Sequence, residues 1–223
     1  MLWMVKKMKY KKNKIDVYSE TFLFISLVCI SCVLISNILA AKLISVFGIS
    51  MTAGVLVFPI TYIIGDVLTE VYGHNKAKKI ILYGFLCNLL MVILFFIAIK
   101  MPYPEFWTNQ DAFVTILSNT PRMLAASFIG YLIGGFTNSY VLEYIKNNSK
   151  IKYLWFRTIL STIVGETLDT SIFLLIGFLG TMANKELGLM IIFQTLAKII
   201  YEIVLTPVTY KVVNYVKRKE NMI

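Results

Sequence analysis

Six long apolar runs, at about 20 to 47, 52 to 72, 77 to 99, 121 to 143, 154 to 180 and 188 to 213, take up most of this 223-residue chain. Each is long enough to cross the roughly 30 Å hydrocarbon core of a bilayer as a helix of about 20 residues. With 58% hydrophobic residues, both a water-soluble domain and a chain that stays disordered are excluded. The expected fold is therefore an all-α integral membrane protein with six transmembrane helices. Its transmembrane domain is expected over 20–213, between a basic tail at 1–19 and a second at 214–223.

The formal net charge of +10 would raise nucleic acid as a partner for a soluble protein, but in a membrane chain such an excess marks the cytoplasmic loops. With the N-terminus inside, the cytoplasmic segments hold Lys6, Lys7, Lys9, Lys11, Lys12 and Lys14, then Lys76, Lys78 and Lys79. They also hold Lys146, Lys150 and Lys152, and finally Lys211, Lys217, Arg218 and Lys219. The outside keeps Lys100, Arg122 and Lys185. Both termini are accordingly expected in the cytoplasm. The lead over 1–19 is too long and basic for a short cleaved signal, and no small-residue cleavage site follows it. The longest external segment, 100–120, contains Pro102, Pro104 and Trp107. It reads either as a turn and amphipathic stretch at the headgroups or as a cap over a substrate opening.

Cys29, Cys32 and Cys87 lie inside apolar runs, where a thiol behaves as a small hydrophobe; a redox pair of Cys29 and Cys32 is the less favoured reading. The single histidine, His74, has no metal partner at ligand spacing, so neither metal nor cofactor is expected. Gly130 and Gly134 form a GxxxG step that suits close helix packing.

Charges inside the runs carry more information. A carboxylate near the bilayer centre opposes insertion by about 2.5 to 3.5 kcal/mol, so such groups should face protein or water. The second run places Pro59, Tyr62, Asp66, Thr69 and Glu70 along one face. Pro59 is expected to kink or break that helix and free carbonyls to line a cavity. The fifth run carries Thr158, Thr162, Glu166 and Asp169, and the sixth carries Gln194, Lys198, Glu202 and Thr206 at steps of four, so that Lys198 and Glu202 can pair. Asn37 and Lys42 on the first helix, Asn88 on the third, and Ser127, Tyr131 and Asn138 on the fourth are further inward candidates. For Asn88, Ser127 and the hydroxyl residues, helix-to-helix hydrogen bonding is the favoured role. For Asp66, Glu166 and Asp169 a ligand, a proton or a compensating Lys42 or Lys198 is favoured. Glu70 lies nearer the surface. The acid pairs fall on the second and fifth runs, corresponding positions if the chain is two inverted three-helix halves.

Several strings lie in order: Asn37-Ile38-Leu39-Ala40-Ala41-Lys42; Ala53-Gly54 with Phe58-Pro59-Ile60-Thr61-Tyr62; Gly65-Asp66 with Thr69-Glu70-Val71-Tyr72-Gly73; Trp107 with Gln110-Asp111-Ala112-Phe113; Pro121-Arg122; Leu154-Trp155-Phe156-Arg157; Ser161-Thr162, Gly165-Glu166 and Asp169-Thr170; and Lys198, Tyr201-Glu202 and Thr206-Pro207. This pattern closely resembles the queuosine-precursor transporter family of small prokaryotic membrane proteins, within the wider vitamin-uptake transporter group. The resemblance implies a non-enzymatic transporter in the inner or plasma membrane. Its substrate would be a 7-deazaguanine, such as the cyano or aminomethyl precursor or queuine, salvaged for tRNA modification. A deep carboxylate could accept the adjacent N–H donors of a guanine-like edge. Phe58, Tyr62 and Trp155 could stack on the base, and Asn37, Asn88 or Gln194 could read the remaining polar edge. Which of Asp66, Glu70, Glu166, Asp169 and Glu202 contacts substrate, and which pairs with Lys42, Lys198 or Arg157, stays open at this point.

No phosphate-binding loop is present, so the chain itself is not expected to hydrolyse ATP. The partners expected are the substrate and the lipid bilayer, with homo-oligomers or energising subunits as further options and no direct contact with nucleic acid. The alternative within transport is a substrate-binding subunit that docks an energising module through Ser36 with Ala40, or Ala41 with Ser45. From a different class comes an intramembrane aspartyl protease using Asp66 and Asp169. That reading is disfavoured because position 63 is isoleucine where the Gly-x-Gly-Asp signature requires glycine.

Overall fold

The computed structural model describes residues 18–148 and 154–222. Helix α1 (Glu20–Leu39) leads into a hairpin of β1 (Leu43–Val46) and β2 (Ile49–Thr52), followed by a 3-10 turn at Ala53–Val57 and then α2 (Phe58–Tyr72). The order continues with α3 (His74–Lys100), a short α4 (Gln110–Leu117), α5 (Thr120–Asn148), α6 (Leu154–Phe178) and α7 (Asn184–Lys219). By length and composition, α1, the 3-10 turn with α2, α3, α6 and α7 are long and apolar enough to cross a membrane. Leu23, Phe24 and Leu27 on α1, Leu86, Leu90 and Phe96 on α3, and Ile200, Ile203 and Val204 on α7 are exposed. Large apolar side chains displayed in this way suit a lipid solvent. The chain is an all-α multi-pass membrane protein.

Two expectations need correction. The first helix was expected to continue to about residue 47, but it ends at Leu39 and the remainder forms the hairpin. Ile44, Val46 and Ile49 favour extended backbone. Phe47 and Gly48 have φ of 52° and 80°, the two positive values that a tight two-residue hairpin turn requires. The register pairs Leu43 with Thr52 and Val46 with Ile49. Because a continuous apolar run looks the same whether it folds as helix or strand, only Gly48 signalled the turn. The second correction concerns Pro59. It sits in the first turn of α2, where no intrahelical N–H bond is lost, so it starts that helix and does not break it.

At one end of the bundle, Phe22 of α1 packs with Leu68 of α2 and with Ala77 and Ile80 of α3. Beside them, Val67 and Val71 of α2 meet Val213 and Val216 of α7. Ser19 caps α1 by accepting from the Phe22 N–H at 3.1 Å. It also donates to the Glu220 carboxylate at 2.7 Å, as Tyr72 does at 3.1 Å. One carboxylate thus ties the start of α1, the end of α2 and the end of α7; we call this the tail end. Toward the hairpin end, Ala40, Met123, Leu174, Phe178, Leu187 and Met190 form a third cluster joining α1, α5, α6 and α7. Arg122 fastens α5 to α6 there by donating to the carbonyls of Ile176 at 2.6 Å and Leu179 at 2.7 Å.

The GxxxG step lies in the α5–α6 seam. A Cβ on Gly134 would sit 2.8 Å from both Asp169 Cβ and the Gly165 carbonyl oxygen, and one on Gly165 would sit 2.7 Å from Asn138 Cβ. Only hydrogen fits at these contacts, so the two backbones approach closely, as the packing reading of that motif expects. α4, which falls in the external segment expected to include an amphipathic stretch, has no buried residue.

Candidate functional site

The seam between α5 and α6 presents Asp169 toward α7. Lys198 lies there, 7% exposed. Its Nζ stands 2.6 Å from Asp169 Oδ2 and 3.0 Å from Glu166 Oε2. The three- and four-residue spacings explain this meeting, since Glu166 and Asp169 share one face of α6 and Gln194, Lys198 and Glu202 share one face of α7. Lys198 Nζ also lies 4.8 Å from the centre of the Phe58 ring, within cation–π range. Two carboxylates bracketing one ammonium leave the group with net negative charge and two carboxylates able to accept further N–H donors.

Asp169, Lys198 and Phe58 line a cavity of about 70 Å³ together with Asn37, Ser36, Ala40, Thr52, Gly54, Ser127 and Phe173. That volume holds a few waters and is far below the roughly 300 to 1,000 Å³ of sites that enclose small molecules. Asn37 is buried, and its Nδ2 donates to the Val33 carbonyl at 3.2 Å. Ser36 and Ala40, which the sequence also offers as a small-residue docking surface, line this cavity.

Other expected residues are distributed around this centre. Gln194 is fully buried one turn before Lys198, and its Oε1 accepts from the Thr52 N–H at 3.1 Å and from Thr52 Oγ1 at 3.2 Å. Glu202 is half-buried one turn beyond Lys198, within electrostatic reach of Glu166 and Asp66. Asp66 and Glu70 are exposed on α2 toward the tail end. Asn88 is fully buried at the middle of α3, with neither amide atom hydrogen-bonded among the described residues. Lys42 is the clearest departure. It was expected on the first helix facing inward, but it lies beyond the end of α1, exposed, with its carbonyl accepting from the Ala53 N–H at 2.8 Å. The backbones of Tyr62 and Trp155 belong to α2 and α6, but their side chains fall outside the described residues, as do those of His74 and Arg157.

Sequence reasoning missed Thr52 and Phe173 and gave Ser36 only a helix-docking role. A threonine at the end of an apolar run gives no signal of its own, and only its buried contact with Gln194 identifies it. Within α7, Pro207 leaves the Ile203 carbonyl without its usual helical donor. Thr206 Oγ1 donates to the Glu202 carbonyl at 2.7 Å. No group of His, Cys, Asp and Glu suited to a metal ion occurs among the described residues, and Cys29, Cys32 and Cys87 are free thiols.

Comparison with known proteins gives a consistent assignment. The chain is 27% identical over 146 residues to the "Probable queuosine precursor transporter" of Bacillus subtilis (strain 168), covering 65% of this chain and 64% of that protein. It therefore spans a little under two thirds of that relative's length. No solved structure matches. The family described as "Putative vitamin uptake transporter" matches residues 52–212, a stretch holding α2 through most of α7 and every charged residue of the site. On that match, the chain belongs to the vitamin uptake transporter family.

Proposed function

We propose that this protein imports a queuosine precursor, a 7-deazaguanine such as the cyano or aminomethyl compound or queuine, for salvage into tRNA. The observation that carries the reading is the pair of carboxylates, Asp169 and Glu166, held by Lys198 beside a cavity walled by Phe58. A guanine-like edge offers adjacent N–H donors, and a carboxylate inside the bilayer is an acceptor of matching geometry. Lys198 stands 2.6 Å from that carboxylate, at a depth where a lone charge would be costly. Phe58 offers its face to the planar ring. The printed name of the Bacillus relative supports the same substrate.

In this reading α5, 29 residues or about 44 Å long, is the sixth span. The tail end faces the cytoplasm, since Lys76, Lys78, Lys79, Lys217, Arg218 and Lys219 all lie on segments that Glu220 and the neighbouring contacts gather there. Both termini are then inside, in the cytoplasmic membrane of a prokaryote. Substrate enters beneath the hairpin, exchanges its N–H contacts from Asp169 and Glu166 to Glu202, Asp66 and Glu70 in turn, and leaves at the tail end. Incorporation into tRNA removes it and drives net uptake.

The test is the queuosine content of tRNA in a host that lacks its own importer and precursor synthesis but retains the salvage enzymes. Fed nanomolar precursor, the wild-type chain should restore queuosine. Asp169→Asn should reduce uptake by about 10- to 100-fold, as loss of a charged acceptor in a buried site does, while inserting into the membrane normally. Full restoration by that variant would remove Asp169 from the site.

A further inference from the structure

The contacts of Gln194 are one-sided. A backbone N–H can only donate, so the Gln194 atom facing the Thr52 N–H at 3.1 Å must be the amide oxygen. The Thr52 hydroxyl, 3.2 Å away, donates to the same oxygen. This fixes the flip of the amide and leaves Nε2, with its two donors, on the other side. Nε2 is buried and has no hydrogen-bond partner among the described residues, although Gln194 is 0% exposed. Native structures seldom leave a buried donor in that condition without a use for it.

Thr52 lines the cavity, as does Lys198 one turn along α7 from Gln194. Gln194 lies directly behind this wall, bonded to Thr52 and about 6 Å along the α7 axis from Lys198, whose ammonium pairs with the Asp169 carboxylate. The cavity is too small for a bicyclic ligand as it stands, so binding must separate these walls. Gln194 Nε2 is the buried donor behind the wall that has a bond to gain when they part.

We infer that Gln194 is the specificity-determining residue for the ring carbonyl of a purine-like lactam, and that Thr52 is the positioning residue that holds its amide with the donor free. The assignment rests on the substrate reading above and adds to it which ligand edge is read. A lactam offers a carbonyl acceptor next to a ring N–H, so Gln194 and Asp169 can each be satisfied by neighbouring atoms of one ligand. A ligand with an amino group in place of the carbonyl sets donor against donor at Gln194. It also loses the ring N–H that Asp169 would accept, and is rejected twice.

The experiment measures binding of two ligands to the purified full-length protein: 7-cyano-7-deazaguanine and its 6-thio analogue. The analogue keeps the ring N–H and the 2-amino group but replaces the carbonyl oxygen with sulfur, a weak acceptor. Wild type should prefer the oxygen compound by about tenfold, the size of one hydrogen bond in a buried site. Gln194→Met should bind the oxygen compound about tenfold more weakly and show no preference. Thr52→Ser should keep the wild-type preference. Thr52→Val, which retains the backbone donor but not the hydroxyl, should reduce the preference to about threefold. A structural role for Gln194 would weaken both ligands equally and leave the preference intact, and that result overturns the assignment. If Gln194→Met does not fold, an unchanged preference in Thr52→Val overturns it as well. Wild type binding neither compound defeats the substrate reading and this assignment together, whereas a full preference retained by Gln194→Met defeats this assignment alone.

Discussion

The two ends of the bundle are closed by different chemistry. At the tail end, α1, α2, α3 and α7 meet through Phe22, Leu68, Ile80, Val67, Val213 and Val216, all buried. At the rim, Glu220 takes hydrogen bonds from Ser19 and Tyr72. In the hairpin half, α6 and α7 meet around charge: Lys198 lies between Asp169 and Glu166, Gln194 is bonded to Thr52, and buried polar atoms stand without partners among the described residues. An apolar seal excludes water and has nothing to offer a polar solute. A polar centre with unused donors and acceptors is less stable alone and gains when a solute arrives. In the proposed reading, the contrast separates a part of the molecule that keeps the membrane tight from a part that recognises.

The strongest way to break that contrast is to unbalance the charged centre. Lys198→Met leaves Glu166 and Asp169 side by side with no cation between them. Removing one partner of a buried ion pair costs about 3 to 5 kcal/mol, so the variant should lose most of its thermal stability in detergent, and uptake with it. The charge-free triple variant Glu166→Gln, Asp169→Asn, Lys198→Met should regain most of that stability while remaining inactive in transport. A triple variant as unstable as the single one would show that packing of the Lys198 stem, and not charge balance, holds the centre.

The α5–α6 seam sharpens the comparison, because it supports the charged centre from behind with almost no side-chain chemistry. Gly165→Ala places a methyl group 2.7 Å from Asn138 Cβ and 2.9 Å from the Gly134 carbonyl oxygen. Overpacking of this kind costs about 1 to 3 kcal/mol. It should also lower uptake by more than the loss of stability explains, since α6 would carry Asp169 away from Lys198. Gly135→Ala is the control. Beyond its own helical backbone, no heavy atom of the described residues lies within 4 Å of its Cβ position, and alanine is the better helix former by about 1 kcal/mol, so melting temperature should hold or rise. Equal losses from both substitutions would mean that helix propensity, and not close approach, set the seam.

These cases also show what a sequence of this kind reveals. Asp169, Glu166 and Lys198 were legible because ionisable residues inside apolar runs are anomalous, and helical spacing alone places Glu166 and Asp169 on one face. Their mutual pairing was not fixed: Lys198 was equally free to pair along its own helix with Glu202, and only the packing of α6 on α7 selects the cross-helix partners. Thr52 and the hairpin were hidden because an unbroken apolar run carries no periodicity to tell strand from helix. Lys42 was misplaced for the same reason, since its expected inward position depended on a helix that ends at Leu39. The GxxxG step was read correctly as packing, but its use in supporting Asp169 depends on which helix it meets.

The smallest effect is expected at the tail end, where the comparison predicts that the polar tie is secondary to the apolar seal. The Ser19 hydroxyl donates to the Glu220 carboxylate and, with help from Tyr72, holds that carboxyl below the usual range. A folded-state value below the unfolded one means that the tie adds stability above the ordinary carboxyl pKa and loses it as pH falls through the lowered folded value. The group sits at the solvated surface, so its contribution should stay below about 1 kcal/mol. Melting in detergent from pH 7 to pH 3 tests this. Glu220→Gln should melt slightly below wild type at pH 7, and the gap should narrow as pH falls and the wild-type carboxyl takes up its proton. A gap that persists at low pH would assign the effect to packing. A gap much larger than 1 kcal/mol would mean that the tail end, like the hairpin half, is held chiefly by its polar groups, and the division between a seal and a recognition centre would then fail.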